Sequence, residues 1–137
     1  MSIMSATSQP PATGNPFFDS DGRPTVEIEV SNPLGWKRTV KALIDTGFDG
    51  FLSLPMLEAF PIGLLLRGTM PVTLADGSTR QTLYCLGSIH FDGDLAVGLV
   101  LIESEGTPLV GMSFLRQFKR ELVVDPASTK LALNRVP

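Results

Sequence analysis

The apolar residues of this chain come in short runs, broken at regular intervals by turn residues. Val26, Ile28 and Val30 alternate with Thr25, Glu27 and Glu29, the two-residue period of a half-buried strand. Ser31–Gly35 predicts a turn, and Trp36–Ile44 returns as a second strand. Phe51–Leu54 predicts a short buried strand. Pro55 then opens a brief helical turn through Phe60, because Pro suits the first helical position. Thr69–Ala75 and Thr79–Phe91 flank Asp76-Gly77, a strong hairpin signal. Asp92-Gly93-Asp94 turns the chain into Leu95–Ile102. Ser113–Phe118 predicts a short helix. Glu121–Val124 and Lys130–Leu133 form a last hairpin around Pro126-Ala127-Ser128. With 13 Gly and 11 Pro as punctuation, the pattern predicts an all-β fold. The form expected is a closed or nearly closed barrel with one or two short helices.

The 137 residues suit one domain. Met1–Gly22 is rich in Ser, Thr, Pro, Gly and Asn. It lacks the cationic and apolar regions of a signal peptide, so a flexible arm is expected over residues 1–22 and a single domain over 23–137. The longest apolar run, Leu95–Ile102, is far short of the ~18 residues of a membrane span, which points to a soluble, cytoplasmic chain. Lys+Arg total 11 and Asp+Glu 14, a net charge of −3. That balance lacks the basic field of a nucleic-acid binder and offers little to an anionic membrane. The chain has 1 Cys and 1 His. Cys85 and His90 cannot complete a tetrahedral zinc site without carboxylates, and no metal or other cofactor is expected. Carboxylates are left as the acid–base groups.

One carboxylate stands apart. Asp45 lies in Ala42-Leu43-Ile44-Asp45-Thr46-Gly47-Phe48-Asp49-Gly50-Phe51-Leu52-Ser53-Leu54-Pro55, between two apolar strands. Burial disfavours a charged carboxylate unless donors or a shared proton compensate. Thr46 can donate a hydrogen bond, and Gly47 lets its N–H approach closely. Taken bare, Asp-Thr-Gly is a turn. Its apolar flanks argue for more, since a solvated turn needs no such burial.

Leu43-Ile44-Asp45-Thr46-Gly47 before an apolar strand resembles the active-site loop of the retropepsin-like aspartic proteases. The longer string through Pro55 is similar to small stand-alone prokaryotic members of that clan. Leu109-Val110-Gly111-Met112-Ser113-Phe114-Leu115 resembles the family's apolar-apolar-Gly strand, which crosses beneath the Asp loop and enters a short helix. The hairpin at Asp76-Gly77 lies between the two, where the family has its flap, and the final hairpin also follows the family order. The resemblance spans about Thr25 to Val136. It implies a retropepsin-like closed acid-protease barrel that works as a homodimer on peptide or protein substrates. Each chain would supply one Asp45, and the two would share a proton. Thr46 would bond across the dimer, and Gly47 would offer its N–H to the carboxylates. Phe48, Asp49, Gly50, Ala75, Asp76, Gly77 and Ser78 would meet substrate. The terminal strands, Thr25–Val30 and Lys130–Leu133, are the analogous dimer strands. Three departures stand out, one of them the flap candidate, Ala75–Thr79, which is less glycine-rich than viral flaps. Phe48 replaces the small residue common after the Gly, and Ser113 replaces an Asp or Asn at the helix start, where its hydroxyl can still cap the helix.

The remaining candidates read more simply. Asp49 is either a turn aspartate or a polar contact to substrate. Asp92 and Asp94 suit a solvated turn. His90 suits a surface position, and Cys85 a buried apolar one. Three Gly pairs have P-loop spacing, but none is followed by the phosphate-binding Lys. Lys119, Arg120 and Glu121 suit a solvated strand edge, and Trp36 is expected to pack in the barrel or under the first hairpin. The reading from another class is a non-catalytic dimeric peptide-binding module with the same fold. A weaker one is an unrelated β-barrel adaptor in which Asp45 only makes a turn.

Overall fold

A computed structural model describes residues 14–64 and 66–137. Ten strands and two helices follow in the order β1 (Phe17–Phe18), β2 (Pro24–Ser31), β3 (Lys37–Ile44), β4 (Leu52–Pro55), α1 (Met56–Ile62), β5 (Gly68–Thr73), β6 (Thr79–Phe91), β7 (Asp94–Glu103), β8 (Leu109–Val110), α2 (Met112–Phe118), β9 (Arg120–Asp125) and β10 (Lys130–Arg135). Eight strands form one sheet in the order β1-β2-β3-β8-β4-β7-β6-β5. It closes on itself because β6 also pairs with β2, through Glu29–His90, Val30–Ile89 and Ser31–Ser88. The closed part holds six strands. β5 stands outside it on β6, and β9–β10 make a separate two-stranded sheet. The architecture is therefore all-β with two short helices, but it is not the plain barrel that strand spacing alone predicts.

The alternation in β2 does what its period requires. Val26, Ile28 and Val30 are fully buried, while Glu27 and Glu29 stay at the surface side of the strand. The core continues through Ala42 and Ile44 of β3, Leu52 and Leu54 of β4, Ile89 of β6 and Val100 of β7. One end is closed by aromatic rings. Phe114 and Phe118 of α2 pack on Phe91, with centroids 5.2 and 5.4 Å away, and Phe118 stacks on Phe51 at 6.4 Å. Tilted and edge-on rings at these distances add to simple burial. They fix α2 against the sheet, and α2 in turn carries the site described below.

Several expectations change in the folded chain. Within the expected arm, Phe17 and Phe18 form a short paired strand: Phe17 faces Thr25 and Phe18 faces Pro24. Residues 1–13 of that arm lie outside the described residues. Pro55 ends β4 and stands just before α1 rather than inside it. Trp36 is 63% exposed and leans on Gly63 at the end of α1, because the turn is tied there by Asn32 Nδ2 donating to Gly63 O. Arg120 is not at a solvated edge. Its side chain is 1% exposed and meets Asp92 at 3.1 Å and Asp94 at 3.4 Å. It also donates to Phe118 O and lies over the Phe91 ring. Arg135 joins Asp94 at 2.9 Å. The two arginines bind the last hairpin to the β6–β7 turn, so Asp92 and Asp94 are more than solvated turn residues. The Arg135 bond, opposed in part by desolvation and helped by Arg120, holds Asp94 below the usual carboxylate range.

Candidate active site

Asp45 follows directly on β3, and the loop it opens returns into β4. These two strands do not pair with each other. β8 lies between them, parallel to β3 (Leu43–Leu109, Ile44–Val110) and antiparallel to β4 (Leu52–Val110, Ser53–Leu109). The Asp45 N–H donates to Val110 O at 2.9 Å, so the loop starts pinned to the crossing strand. The Asp45 Oδ1 accepts the Gly47 N–H at 2.9 Å, and Phe48 N–H donates back to Asp45 O at 3.1 Å.

The loop is also held from below. Its carbonyls point at the start of α2: Met112 N–H donates to Phe48 O at 2.8 Å, and Ser113 N–H is shared between Asp49 O at 3.1 Å and Gly50 O at 3.2 Å. These bonds satisfy N–H groups that a helix start leaves unpaired. Gly111 makes the approach possible. A Cβ there would run into Phe48 O and lie 2.7 Å from Gly50 O. The Ser113 hydroxyl does not cap the helix as expected. Gly111 is the cap residue, the loop carbonyls already serve the free N–H groups, and Ser113 Oγ accepts from Gln117 Nε2 at 3.2 Å instead.

Above Asp45 stands the β5–β6 hairpin. Between them runs a groove of about 500 Å³ whose lining includes Asp45, Gly47, Phe48, Val72, Leu74 and Ala75. Arg80 and Glu103 stand on its wall and pair at 2.6 Å, tying β6 close to the hairpin turn to the end of β7. Of the expected substrate-facing residues, Phe48 and Ala75 line this groove. Asp49 and Gly50 line an adjoining hollow. Asp76, Gly77 and Ser78 line neither and form the hairpin's own turn. Ser78 N–H and Oγ both donate to Asp76 Oδ1, at 2.9 and 2.6 Å. The Ser78 hydroxyl, with its N–H, holds the Asp76 carboxyl below the usual range. Val72, Thr73, Leu74, Arg80, Leu101 and Glu103 were not legible as groove residues. Only the pairing of β5 with β6, and of β6 with β7, brings them over Asp45.

Thr46 points elsewhere. It is exposed at the rim of an apolar hollow of about 470 Å³ that includes Met112, Leu115, Leu122 and Val136. His90 is half-exposed and its Nδ1 sits 3.2 Å from Glu29 Oε1. Cys85 is fully buried, and burial pushes its thiol up to about 11. Among the described residues, no group of three or more His, Cys, Asp or Glu side chains is placed to hold a metal ion. No helix among them is long and apolar enough to cross a membrane.

No protein-family model matches the chain, and no curated protein matches it. Among solved structures, the EIAV protease complexed with the inhibitor HBY-793 matches with a TM-score of 0.61 at 16% identity. The match covers 78% of this chain and 98% of that one. The chain has a retropepsin-like fold. At such low identity the likeness rests on the path of the chain. The strand crossing beneath the Asp45 loop, the hairpin above it and the short helix behind it make up the retropepsin-like arrangement seen here.

Proposed function

We propose that the chain is a homodimeric aspartic endopeptidase in which Asp45 of two copies forms one active site. The observation that carries this reading is the Asp45 loop itself. It is clamped by β8 and α2 from below and faces a peptide-sized groove from above. The likeness of its motif to the small stand-alone prokaryotic members of the clan belongs to the same reading.

Two carboxylates brought close cannot both ionise freely, so one keeps a proton. The ionised partner takes a proton from a water molecule. The protonated partner polarises the scissile carbonyl. Water attacks the carbonyl carbon, the C–N bond then breaks as a carboxyl proton passes to the leaving amine, and no covalent enzyme intermediate forms. Gly47 N–H holds one Asp45 oxygen and leaves the other for this chemistry. Thr46, with the apolar hollow beside it, faces away from the groove and suits contact with the second copy. Of the two candidate dimer strands, β10 supports the reading better. Among the described residues it pairs only with β9, whereas β2 is taken up by β3 on one side and by β1 and β6 on much of the other.

The test is cleavage of a mixed peptide library by the wild type and by Asp45→Asn across pH 3–9. The reading expects a bell-shaped profile for the wild type and none for the variant. Saturable peptide binding without cleavage at any pH would make the chain a binding module instead.

A further inference from the structure

We propose that Phe48 is a specificity-determining residue, a fixed wall that limits one side-chain position of the bound peptide to small residues. The proposal rests on the reading of the Asp45 groove as a peptide-cleaving site and adds to it a rule for what the groove accepts.

Two hollows lie side by side beneath the β5–β6 hairpin. The first, of about 500 Å³, contains Asp45. The second, of about 360 Å³, lacks Asp45 and contains Asp49 and Gly50. They share five residues: Gly47, Phe48, Val72, Thr73 and Leu101. Phe48 is the one aromatic ring in that set, and it is the partition on the loop side. In an extended peptide, alternate side chains fall on one face, roughly 6.8 Å apart. A peptide with its scissile bond at Asp45 therefore puts one side chain in the first hollow and its second neighbour beyond the Phe48 ring.

The ring has a defined seat. It lies on two glycines whose missing side chains make its seat. A Cβ on Gly50 would stand 2.6 Å from Phe48 Cε1, and a Cβ on Gly111 would stand 2.7 Å from Phe48 Cδ2. The same residue's carbonyl is bonded to Met112 N–H at 2.8 Å. The backbone is thus held, and the ring is seated against both glycines. The ring packs over Gly50, a lining residue of the second hollow, and fills the space a side chain at that position would take. A wall of this kind rejects bulk by overpacking rather than adapting to it.

The experiment uses extended peptides of one sequence, varied only at the residue two positions from the scissile bond. The wild type should cleave Gly, Ala and Ser peptides and discriminate against Phe and Trp. Phe48→Ala should raise cleavage of the aromatic peptides relative to the Ala peptide by about tenfold or more, with Phe48→Leu intermediate. Phe48→Leu keeps most of the packing and carries the test if Phe48→Ala melts early. Equal preferences in a wild type and variants that all cleave would overturn the proposal. A second arm captures the same peptides on Asp45→Asn and Asp45→Asn/Phe48→Leu protein. If the wild type cleaves nothing but capture shifts toward aromatic peptides in the double variant, the wall stands and the protease reading falls. If capture is absent or does not depend on residue 48, the wall falls too.

Discussion

The Asp45 loop and the tip of the β5–β6 hairpin share one piece of local chemistry and little else. In each, an aspartate oxygen accepts the N–H two residues on, at 2.9 Å: Gly47 for Asp45 and Ser78 for Asp76. This is the Asx turn that both sequences suggest. The difference lies in what surrounds them. The Asp45 loop is bonded to β8 and α2 and pressed on by Gly111. At the Asp76 tip, Leu74, Ala75, Asp76, Gly77 and Ser78 are all exposed. Its bonds run within the turn, with Leu74 N–H on Ser78 O and Gly77 N–H on Leu74 O. The same turn is a rigid mount in one place and a separable tip in the other. A catalytic group needs the first kind of support, and a cover over a groove can use the second.

The contrast is sharpest in turnover. Asp45→Asn should cut peptide cleavage by at least about 100-fold, the usual worth of an acid–base group, and leave the fold intact. Asp76→Asn, which keeps the turn oxygen, should leave turnover near that of the wild type. Equal losses from both would erase the distinction, as measured by kcat on one peptide.

Stability gives the next test. Gly111→Ala forces a Cβ against loop backbone and should cost about 3 kcal/mol in a urea unfolding series. Gly77 has a φ of +86° with nothing near its missing Cβ. Gly77→Ala should cost about 1 kcal/mol, from backbone strain alone. Similar costs at the two sites would mean that the loop is not clamped as described.

The smallest effect is the titration of the hairpin tip. Hydrogen bonds from Ser78 lower the Asp76 pKa from 3.8. The turn's stabilisation is therefore fully present above 3.8 and fades as pH falls through the lower folded value. Carboxyl NMR should find the Asp76 midpoint below 3.8, and Ser78→Ala should move it upward. A midpoint that ignores Ser78 would show that the turn is open in solution.

The comparison also explains what could be read from the sequence. Strands such as β2, and the turns at Asp45 and Asp76, are local facts written in alternation and turn residues. The closure of β6 onto β2 is not, because Glu29 and His90 are sixty-one residues apart and no local pattern links them. Arg120 illustrates the same limit. Its neighbours Lys119 and Glu121 are exposed, and burial follows only from Asp92, Asp94 and Phe91 arriving from another hairpin. Trp36 errs the other way, since a large ring is expected inside until Asn32 ties its turn to Gly63. At the site, Asp45, Gly47, Phe48 and Ala75 were legible. Val72, Arg80 and Glu103 were not, since they reach the groove only through strand register.

The central claim is that two Asp45 side chains make one site, and the distance between them in a crystal of the protein tests it most directly. The account predicts a two-fold dimer in which the two carboxylates face each other within hydrogen-bonding reach, beneath the two hairpins. Asp45 side chains that lie apart and face solvent in the dimer, or a monomer that cleaves peptides with full activity, would contradict it.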